Sequence, residues 1–157
     1  MQIKSPAFEN ENFVPEKYTC DGSNINPSFE FIDVPEETKS LVFIMDDPDA
    51  PRETFVHWLL FNINPKVKKI EEDSFPEGAT QGHTSLDDHG YIGPCPPSGV
   101  HRYYFKLYAL DTIFTELSEE ADKEAVEMAM EGHILAEAEI MGLYGKRLMR
   151  NQPWDTE

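Results

Sequence analysis

Basic residues are scarce in this 157-residue chain. It contains 13 lysines and arginines against 30 aspartates and glutamates, which gives a formal net charge of -17. Binding to nucleic acid or to an anionic membrane over a broad surface needs clustered Lys and Arg, so the composition argues against both. Any site for an anion must therefore be small and local. The length fits a single domain, and we expect residues 1–157 to form it.

Long apolar runs are also missing. No stretch approaches the roughly 18 apolar residues of a membrane-spanning helix. The N-terminus, MQIKSPAFENENF, has neither the basic start nor the apolar centre of a signal peptide. We therefore expect a soluble, cytoplasmic protein without a membrane span.

Cysteine is nearly absent, with only Cys20 and Cys95 in the chain. Two cysteines are too few for a disulfide framework, and their surroundings match no zinc-binding pattern. Both lie among turn-forming residues, in YTCDG and in PCPP. A disulfide between them would be unusual in a reducing cytosol. The sequence thus favours two free thiols but leaves a disulfide open.

The segment Gly90–Asp111 joins a rigid loop to a strand. Its loop part, YIGPCPPSG, has three prolines, which fix backbone angles and remove hydrogen-bond donors. From His101 to Leu110 a period of two places His101 and Tyr103 on the same face as apolar residues. An imidazole and a phenol are therefore predicted at the end of a strand, where a ligand can reach them beside the stiff loop.

Two more apolar strands carry a polar residue on an apolar face. Asp47 follows the run 41–45 and shares parity with its odd-numbered residues. His57 lies in the run 55–63, and its predicted face also holds Phe55, Leu59, Phe61 and Ile63. A buried polar group without a hydrogen bond costs roughly 1–3 kcal/mol, so each needs a partner. We predict that Asp47, His57, His101 and Tyr103 line one pocket.

Strand patterns come early in the chain and helical patterns come late. The predicted elements are strands at 3–5, 29–32, 41–45, 55–63 and 101–110, a long connection at 65–91, a helix with Asp122 as its N-cap, a second amphipathic helical stretch from Ile134 to about Gly142, and a last strand at 144–149. This order favours a mostly β (α+β) domain, with an antiparallel sheet and helical cover near the C-terminus.

Several motifs occur together in the chain. They are SPAF at 5–8, YTCDG at 18–22, DPDAP at 47–51, VHW around His57, GPCPPSGVHRYYFKLYAL at 93–110 and MEGHILAEAEIMGLYGKR at 130–147. In this combination they resemble the phosphatidylethanolamine-binding protein family, in its prokaryotic branch of Raf kinase inhibitor-like proteins. The similarity covers nearly the whole chain.

The resemblance implies a β-sandwich with a large central antiparallel sheet, a smaller second sheet and C-terminal helices. It also implies a pocket for phosphate or a phosphorylated head group, with no cofactor. Carried over by position, the pocket residues are Asp47, Asp49, His57, Pro96, Pro97, His101 and Tyr103. We take the rest of the loop 94–97 as part of the site, so Pro94 and Cys95 are predicted to contribute as well.

One segment departs from the family pattern. Prokaryotic relatives often have an Asn-Asp-Phe type of sequence after Gln-Gly, whereas this chain reads QGHTSLDDHGYIG at 81–93. We expect the pocket wall formed by this segment to differ in shape and charge, so ligand selectivity cannot be inherited from the family.

The chemistry of these residues favours binding without catalysis. Imidazole and phenol groups and loop amides can all donate hydrogen bonds to an anion. Asp47 is better suited to accept a bond from His57 or His101, which fixes the tautomer and favours the imidazolium. The blander interpretation is a satisfied buried pair of Asp47 and His57 that binds no ligand.

Two other classes of function stay open at this point. Asp47, Asp49, His57 and His101 are a residue set for a metal-dependent hydrolase, to which His83 and His89 would add ligands. A nucleophilic couple of Cys95 with His101 has less support, because nothing nearby lowers the thiol pKa. The third class is an interaction module that regulates or inhibits a kinase or protease partner. A homodimer is also conceivable from the resemblance.

Overall fold

The computed structural model describes residues 1–145, and their secondary structure is dominated by strands. The elements in this range are β1 (Gln2–Lys4), a 3-10 turn (Glu16–Tyr18), β2 (Phe29–Ile32), β3 (Ser40–Asp47), β4 (Phe55–Ile63), β5 (Lys69–Ile70), β6 (Thr80–Gln81), β7 (Val100–Leu110), α1 (Lys123–Met130) and β8 (Ile134–Gly145). The predicted strands at 29–32, 41–45, 55–63 and 101–110 are confirmed, and β1 occupies the predicted N-terminal edge position.

The strands form two antiparallel sheets. The larger has the order β6-β4-β3-β7-β8 and the smaller has the order β1-β2-β5. A mostly β fold with one large and one small sheet was predicted, and it is confirmed. β3 lies at the centre of the large sheet, which explains why its sequence is an unbroken apolar run.

A separate hydrophobic core packs against each face of the large sheet. On one face Phe43 and Phe105 pack against Phe29 of the small sheet, with ring centroids 5.1 Å and 4.8 Å from that of Phe29. On the other face Val42 and its neighbours pack against α1 through Val126. Because β3 is buried on both faces, apolar residues at successive positions all contribute hydrophobic stabilisation.

The helix α1 begins where the sequence predicted. The side chain of Asp122 accepts a hydrogen bond of 2.9 Å from the backbone N–H of Ala125, as an N-cap residue does. The helix ends at Met130, and Gly132 follows with a φ of 80°, a left-handed conformation that suits glycine.

The predicted second helical stretch is wrong. Residues Ile134–Gly145 form β8, which pairs with β7 along its whole length. Alternate residues of β8 pack toward the small sheet, from Ala136 and Ala138 to Ile140 and Tyr144. Pairing with the long strand β7 thus overrides the helical spacing of a few apolar residues. Residues 146–149 of the predicted last strand lie outside the described residues.

The long connection between β4 and β7 is more ordered than the sequence suggested. It contains the short strands β5 and β6 and a backbone bridge between His83 and His89. Among residues 1–145, no helix is long and apolar enough to cross a membrane.

Candidate functional site

A β-bulge in β4 sets the direction of His57. Met45 pairs with Trp58 and Asp46 pairs with Val56, so His57 is an extra residue between two ladder positions. Beyond the bulge, Trp58 lies in the core under the small sheet, whereas Leu59 lies in the core under α1. The predicted parity of His57 with Leu59 and Phe61 is therefore wrong, although His57 does lie on the same side as Asp47.

A cavity of about 300 Å³ opens at one end of the large sheet, where β3 ends and where β4 and β7 begin. Seven of the predicted site residues line it, namely Asp47, His57, Cys95, Pro96, Pro97, His101 and Tyr103. Phe55, Ile92 and Leu86 add apolar surface. A mostly apolar wall with a few convergent polar groups is typical of a small-molecule site.

Asp47 holds His101. Its Oδ2 lies 2.6 Å from Nδ1 of His101, and its Oδ1 accepts the backbone N–H of Asp49 at 2.8 Å. The carboxylate and the imidazole are both buried. Because an ionised carboxylate can only accept, Nδ1 of His101 is the donor and Nε2 is the ring atom left for another partner. Asp47 thus acts on the histidine rather than on an anionic ligand.

His57 is fixed by the loop that forms the cavity wall. Its Nδ1 donates to the carbonyl oxygen of Ile92 at 2.6 Å, and the N–H of Ile92 donates to the carbonyl of His57 at 3.0 Å. Burial lowers the pKa of His57. The Ile92 hydrogen bond and the charge of Asp47 both raise it, but by less than burial lowers it. At neutral pH this ring is therefore neutral, with an unprotonated Nε2.

Tyr103 packs between the two histidines. Its ring centroid lies 5.3 Å from that of His57, in an edge contact, and 6.3 Å from that of His101. Burial raises the pKa of Tyr103, and the charge of Asp47 adds to the rise. Within residues 1–145 no group meets full hydrogen-bond geometry with the buried hydroxyl, although a backbone interaction with Cys95 opposes the rise in its pKa. A buried donor without a full hydrogen bond costs about 1–3 kcal/mol, so a polar partner from outside the chain would be favourable.

The wall loop at 91–97 is tied to the loop at 18–24. Cys20 and Cys95 form a disulfide, so the expectation of free thiols is wrong. Tyr91 donates through its hydroxyl to the carbonyl of Tyr18 at 2.7 Å. Gly93 donates its backbone N–H to Oδ1 of Asn24 at 2.9 Å. The disulfide, these two hydrogen bonds and a third from the N–H of Cys20 to the carbonyl of Pro94 hold the wall in place.

Two predicted residues do not line the cavity. Asp49 accepts hydrogen bonds from Arg102, through the backbone N–H at 2.8 Å and the guanidinium at 2.8 and 3.0 Å. These bonds lower the pKa of Asp49. Pro94 is buried, and its carbonyl accepts the N–H of Cys20 at 3.1 Å. Both residues brace the walls of the site, a role that the motif pattern could not distinguish from ligand contact.

Asp46, which precedes Asp47, faces the other side of the sheet. Its buried carboxylate pairs with Lys106 at 3.2 Å and with Lys123 of α1 at 2.7 Å. The adjacent aspartates at the end of β3 thus have separate roles, since successive strand residues point to opposite faces.

The metal-hydrolase alternative finds no support in the arrangement of these residues. In the part of the chain that the structure describes, one group of His, Cys, Asp or Glu is close enough to hold an ion, and it consists of His83, His89 and Glu120. None of these residues lines the cavity. The cavity residues that the sequence analysis missed carry no polar side chain, so no chemical signal pointed to them; they are Ala50, Pro51, Phe55, Leu86, Ile92 and Gly93.

Comparison with known proteins gives one consistent result. Residues 4–145 match the profile of the family described as phosphatidylethanolamine-binding protein. A UPF0098 protein of Methanothermobacter thermautotrophicus is 50% identical over 149 residues, which cover 92% of this chain and 98% of that protein. Another UPF0098 protein, from Aquifex aeolicus, is 46% identical over 151 residues, covering 92% of this chain and 88% of that protein.

Solved structures agree with the sequence relatives. A phosphatidylethanolamine-binding protein homologue from Chlamydia trachomatis superposes with a TM-score of 0.88 at 43% identity, covering 92% of this chain and 97% of that one. E. coli YbcL, a member of the mammalian PEBP family, gives a TM-score of 0.85 at 30% identity, with the same coverages of 92% and 97%. The resemblance seen in the motifs is thereby confirmed, and the chain belongs to the phosphatidylethanolamine-binding protein family.

Proposed function

We propose that this protein binds a phosphate or a phosphorylated head group in the cavity beside His57 and His101, without catalysing a reaction. The observation that carries the proposal is the pairing of both Nδ1 atoms with fixed acceptors, the carboxylate of Asp47 and the carbonyl of Ile92. Each imidazole keeps only Nε2 for a further polar partner. Family membership supports a non-enzymatic binding protein in general terms.

A phosphate group suits this pair of rings electrostatically. The Asp47 carboxylate accepts a hydrogen bond from Nδ1 of His101, and burial favours the neutral form of His57. A phosphate monoanion has both a P–OH donor and anionic acceptor oxygens. It can therefore donate to a neutral Nε2 and accept from a protonated one. A fully deprotonated dianion would need a proton on both rings.

The size and lining of the cavity narrow the choice of ligand. A volume of about 300 Å³ is at the lower end of small-molecule sites. The apolar wall, which includes Phe55 and Pro96, excludes water and strengthens polar contacts inside. These features suit a compact head group. The acidic surface of the chain repels anions elsewhere, so binding depends on these local groups.

The experiment is calorimetric titration of inorganic phosphate and of phosphorylethanolamine into the chelator-treated protein, at about pH 6 and about pH 8. We expect tighter binding at the lower pH, and a loss of about tenfold or more in His57→Gln and in His101→Gln, since a charge-assisted hydrogen bond contributes about 1.5–3 kcal/mol. The matched control is His133→Gln, because His133 is exposed and pairs with Asp111 at 2.8 Å, far along β7 from the cavity.

Two results would overturn the proposal. One is the absence of binding of either ligand to the wild-type protein. The other is equal binding to the wild type and to both cavity variants, which would place the ligand elsewhere on the molecule. A comparison of the two ligands also shows whether the amine of phosphorylethanolamine adds affinity beyond that of phosphate.

A kinase or protease partner and a homodimer remain predictions of the family resemblance. If a protein partner depends on an occupied cavity, Asp47→Ala will abolish that interaction. A partner that binds another surface will not respond to this substitution.

A further inference from the structure

Two histidines and a glutamate converge outside the cavity. His83 and His89 lie on the two arms of a short hairpin, and Glu120 lies just before α1. One potential ligand atom from each of the three side chains lies within 4.8 Å of the other two. His83 and His89 are partly buried, with side chains 24% and 32% exposed, while Glu120 is 71% exposed.

The backbone fixes where these three residues stand. The N–H of His83 donates to the carbonyl of Ala121 at 2.8 Å, which holds Glu120 beside the hairpin. The N–H of Thr84 donates to the carbonyl of Asp88 at 2.9 Å and closes the hairpin between the histidines. The arrangement therefore exists before any ligand arrives.

The imidazole of His89 is oriented as a metal ligand, and Nε2 of His83 faces the same carboxylate. Nδ1 of His89 donates to the carbonyl of Gln81 at 3.1 Å, so its Nε2 is the free ring atom, and it lies 4.0 Å from Oε1 of Glu120. Nε2 of His83 lies 3.4 Å from Oε2 of Glu120. Metal-bound histidines commonly donate the other ring N–H to a carbonyl in this way.

The support behind His89 extends one step further. The side chain of Gln81 accepts a hydrogen bond of 2.8 Å from Nε1 of Trp58, which is buried in the core. On the other side of the cluster, Oδ1 of Asp87 lies 3.8 Å from Nδ1 of His83, beyond hydrogen-bond distance. A small rotation of the exposed Asp87 side chain would give His83 an acceptor as well.

We propose that His83, His89 and Glu120 form a zinc site with a water molecule as the fourth ligand. Zn–N and Zn–O bonds are about 2.0–2.2 Å long, so tetrahedral ligand atoms lie about 3.3 Å apart. The His83–Glu120 distance already meets this value, and the remaining pairs need to approach by at most about 1.5 Å. The exposed Glu120 side chain can adjust its own distance to His89 by changing rotamer, whereas the two imidazoles approach each other by rotation of the rings.

The donor set selects the kind of ion. Two imidazoles and one carboxylate suit Zn²⁺ and its first-row neighbours, whereas Mg²⁺ and Ca²⁺ prefer oxygen ligands. The alternative for the same three residues is a pair of imidazolium–carboxylate contacts without an ion. Such exposed contacts would bind H⁺ but no metal, so the two interpretations give different results in a titration.

The test is titration of Zn²⁺ into the tag-free, chelator-treated protein at about pH 7.5, in about 150 mM salt with excess Mg²⁺ to suppress binding to the acidic surface. We expect one saturable site per chain. His89→Ala and Glu120→Gln should each weaken it by at least about tenfold, because even an outer-shell partner contributes about 10–100-fold. His133→Ala is the control, since it removes another His–carboxylate pair and should leave zinc affinity unchanged.

A second measurement needs no variant. Nitrogen NMR of the wild-type imidazole rings should show a large zinc-dependent shift of Nε2 in His83 and His89, and none in His133. No saturable site, equal affinity in all variants, or equal shifts in all histidines would overturn the proposal. Because none of the three proposed ligands lines the cavity, failure of this proposal can be distinguished from failure of the phosphate proposal.

Discussion

His101 and Asp47 share a hydrogen bond of 2.6 Å between Nδ1 and Oδ2. Both side chains are buried, His101 near the start of β7 and Asp47 at the end of β3. The other oxygen of the carboxylate is occupied by the backbone N–H of Asp49. Both carboxylate oxygens of Asp47 thus accept hydrogen bonds from the protein itself. Its effect on a ligand must therefore act through the orientation and tautomer of the His101 imidazole.

This arrangement predicts the behaviour of Asp47→Asn. The amide keeps the size of the side chain and the bond to Asp49 but removes the anionic acceptor of Nδ1 of His101. Phosphate affinity at about pH 6 should fall roughly tenfold, which corresponds to about 1.4 kcal/mol. Calorimetry measures the change. Asp49→Asn is the matched control, because Asp49 faces Arg102 outside the cavity; equal losses in both variants would contradict the assigned role of Asp47.

The lowered pKa of His57 predicts how stability depends on pH. A histidine that is neutral in the folded state binds fewer protons than its unfolded counterpart below about pH 6.5. Stability from this residue is therefore present above the unfolded pKa and is lost as the pH falls below it, toward the lower folded pKa. Urea unfolding at about pH 7.5 and about pH 5.5 should show a larger decrease for the wild type than for His57→Gln.

The carboxyl of Asp49 affects stability in a different pH range from His57. Its pKa is lowered from 3.8 mainly by the hydrogen bond from Arg102, so its contribution is present above 3.8 and disappears only at more acidic pH. If His57→Gln lost as much stability between about pH 7.5 and 5.5 as the wild type, the loss would have to come from other groups than His57.

The disulfide predicts a large effect of reduction. It links residues 75 positions apart, and the chain-entropy estimate for a loop of that length is about 4.5 kcal/mol. The double substitution of Cys20 and Cys95 by serine should lower the free energy of unfolding in urea by roughly this amount. Wild-type protein unfolded with a reductant should match the double variant, and an unchanged midpoint under reduction would contradict the prediction.

The close packing around Gly93 predicts that adding one methyl group there will disturb the cavity wall. A Cβ at this position would overlap Oδ1 of Asn24 and lie 2.5 Å from the carbonyl oxygen of Tyr18. Gly93→Ala must therefore move the wall loop, at a cost of about 1–3 kcal/mol in stability, and should weaken phosphate binding. Thermal unfolding and calorimetry measure the two effects. Ser98→Ala is the control, since Ser98 is exposed and directly follows this loop; similar results for both would argue against a fixed wall.

Much of the site could be predicted because its residues lie at strand ends with clear boundaries. The apolar run before Asp47 and the alternation after His101 each indicate a strand and the side on which the polar group lies. The bulge at His57 could not be predicted. The residues on both faces of β4 are apolar, so one extra residue in the strand does not visibly disturb the sequence pattern. His57 reaches the cavity through that bulge and not through simple alternation with Leu59.

The other differences come from contacts between distant parts of the chain. Residues 134–145 have apolar spacing that suits a helix, yet pairing with β7 makes them a strand. Cys20 and Cys95 are close only because the loops that carry them are tied together by Tyr91 and Gly93. Local sequence patterns contain no information about such pairings. The motif alone also could not show that Asp49 accepts hydrogen bonds from Arg102 instead of lining the cavity.

The hairpin that carries His83 and His89 also carries Leu86, whose side chain lines the cavity. Anything that stiffens or shifts this hairpin therefore changes the rim past which a ligand enters. If zinc alters phosphate affinity by some factor, phosphate must alter zinc affinity by the same factor, because the two equilibria close a thermodynamic cycle. One measured coupling constant would then describe both sites, and Leu86→Ala would be expected to bring it toward unity.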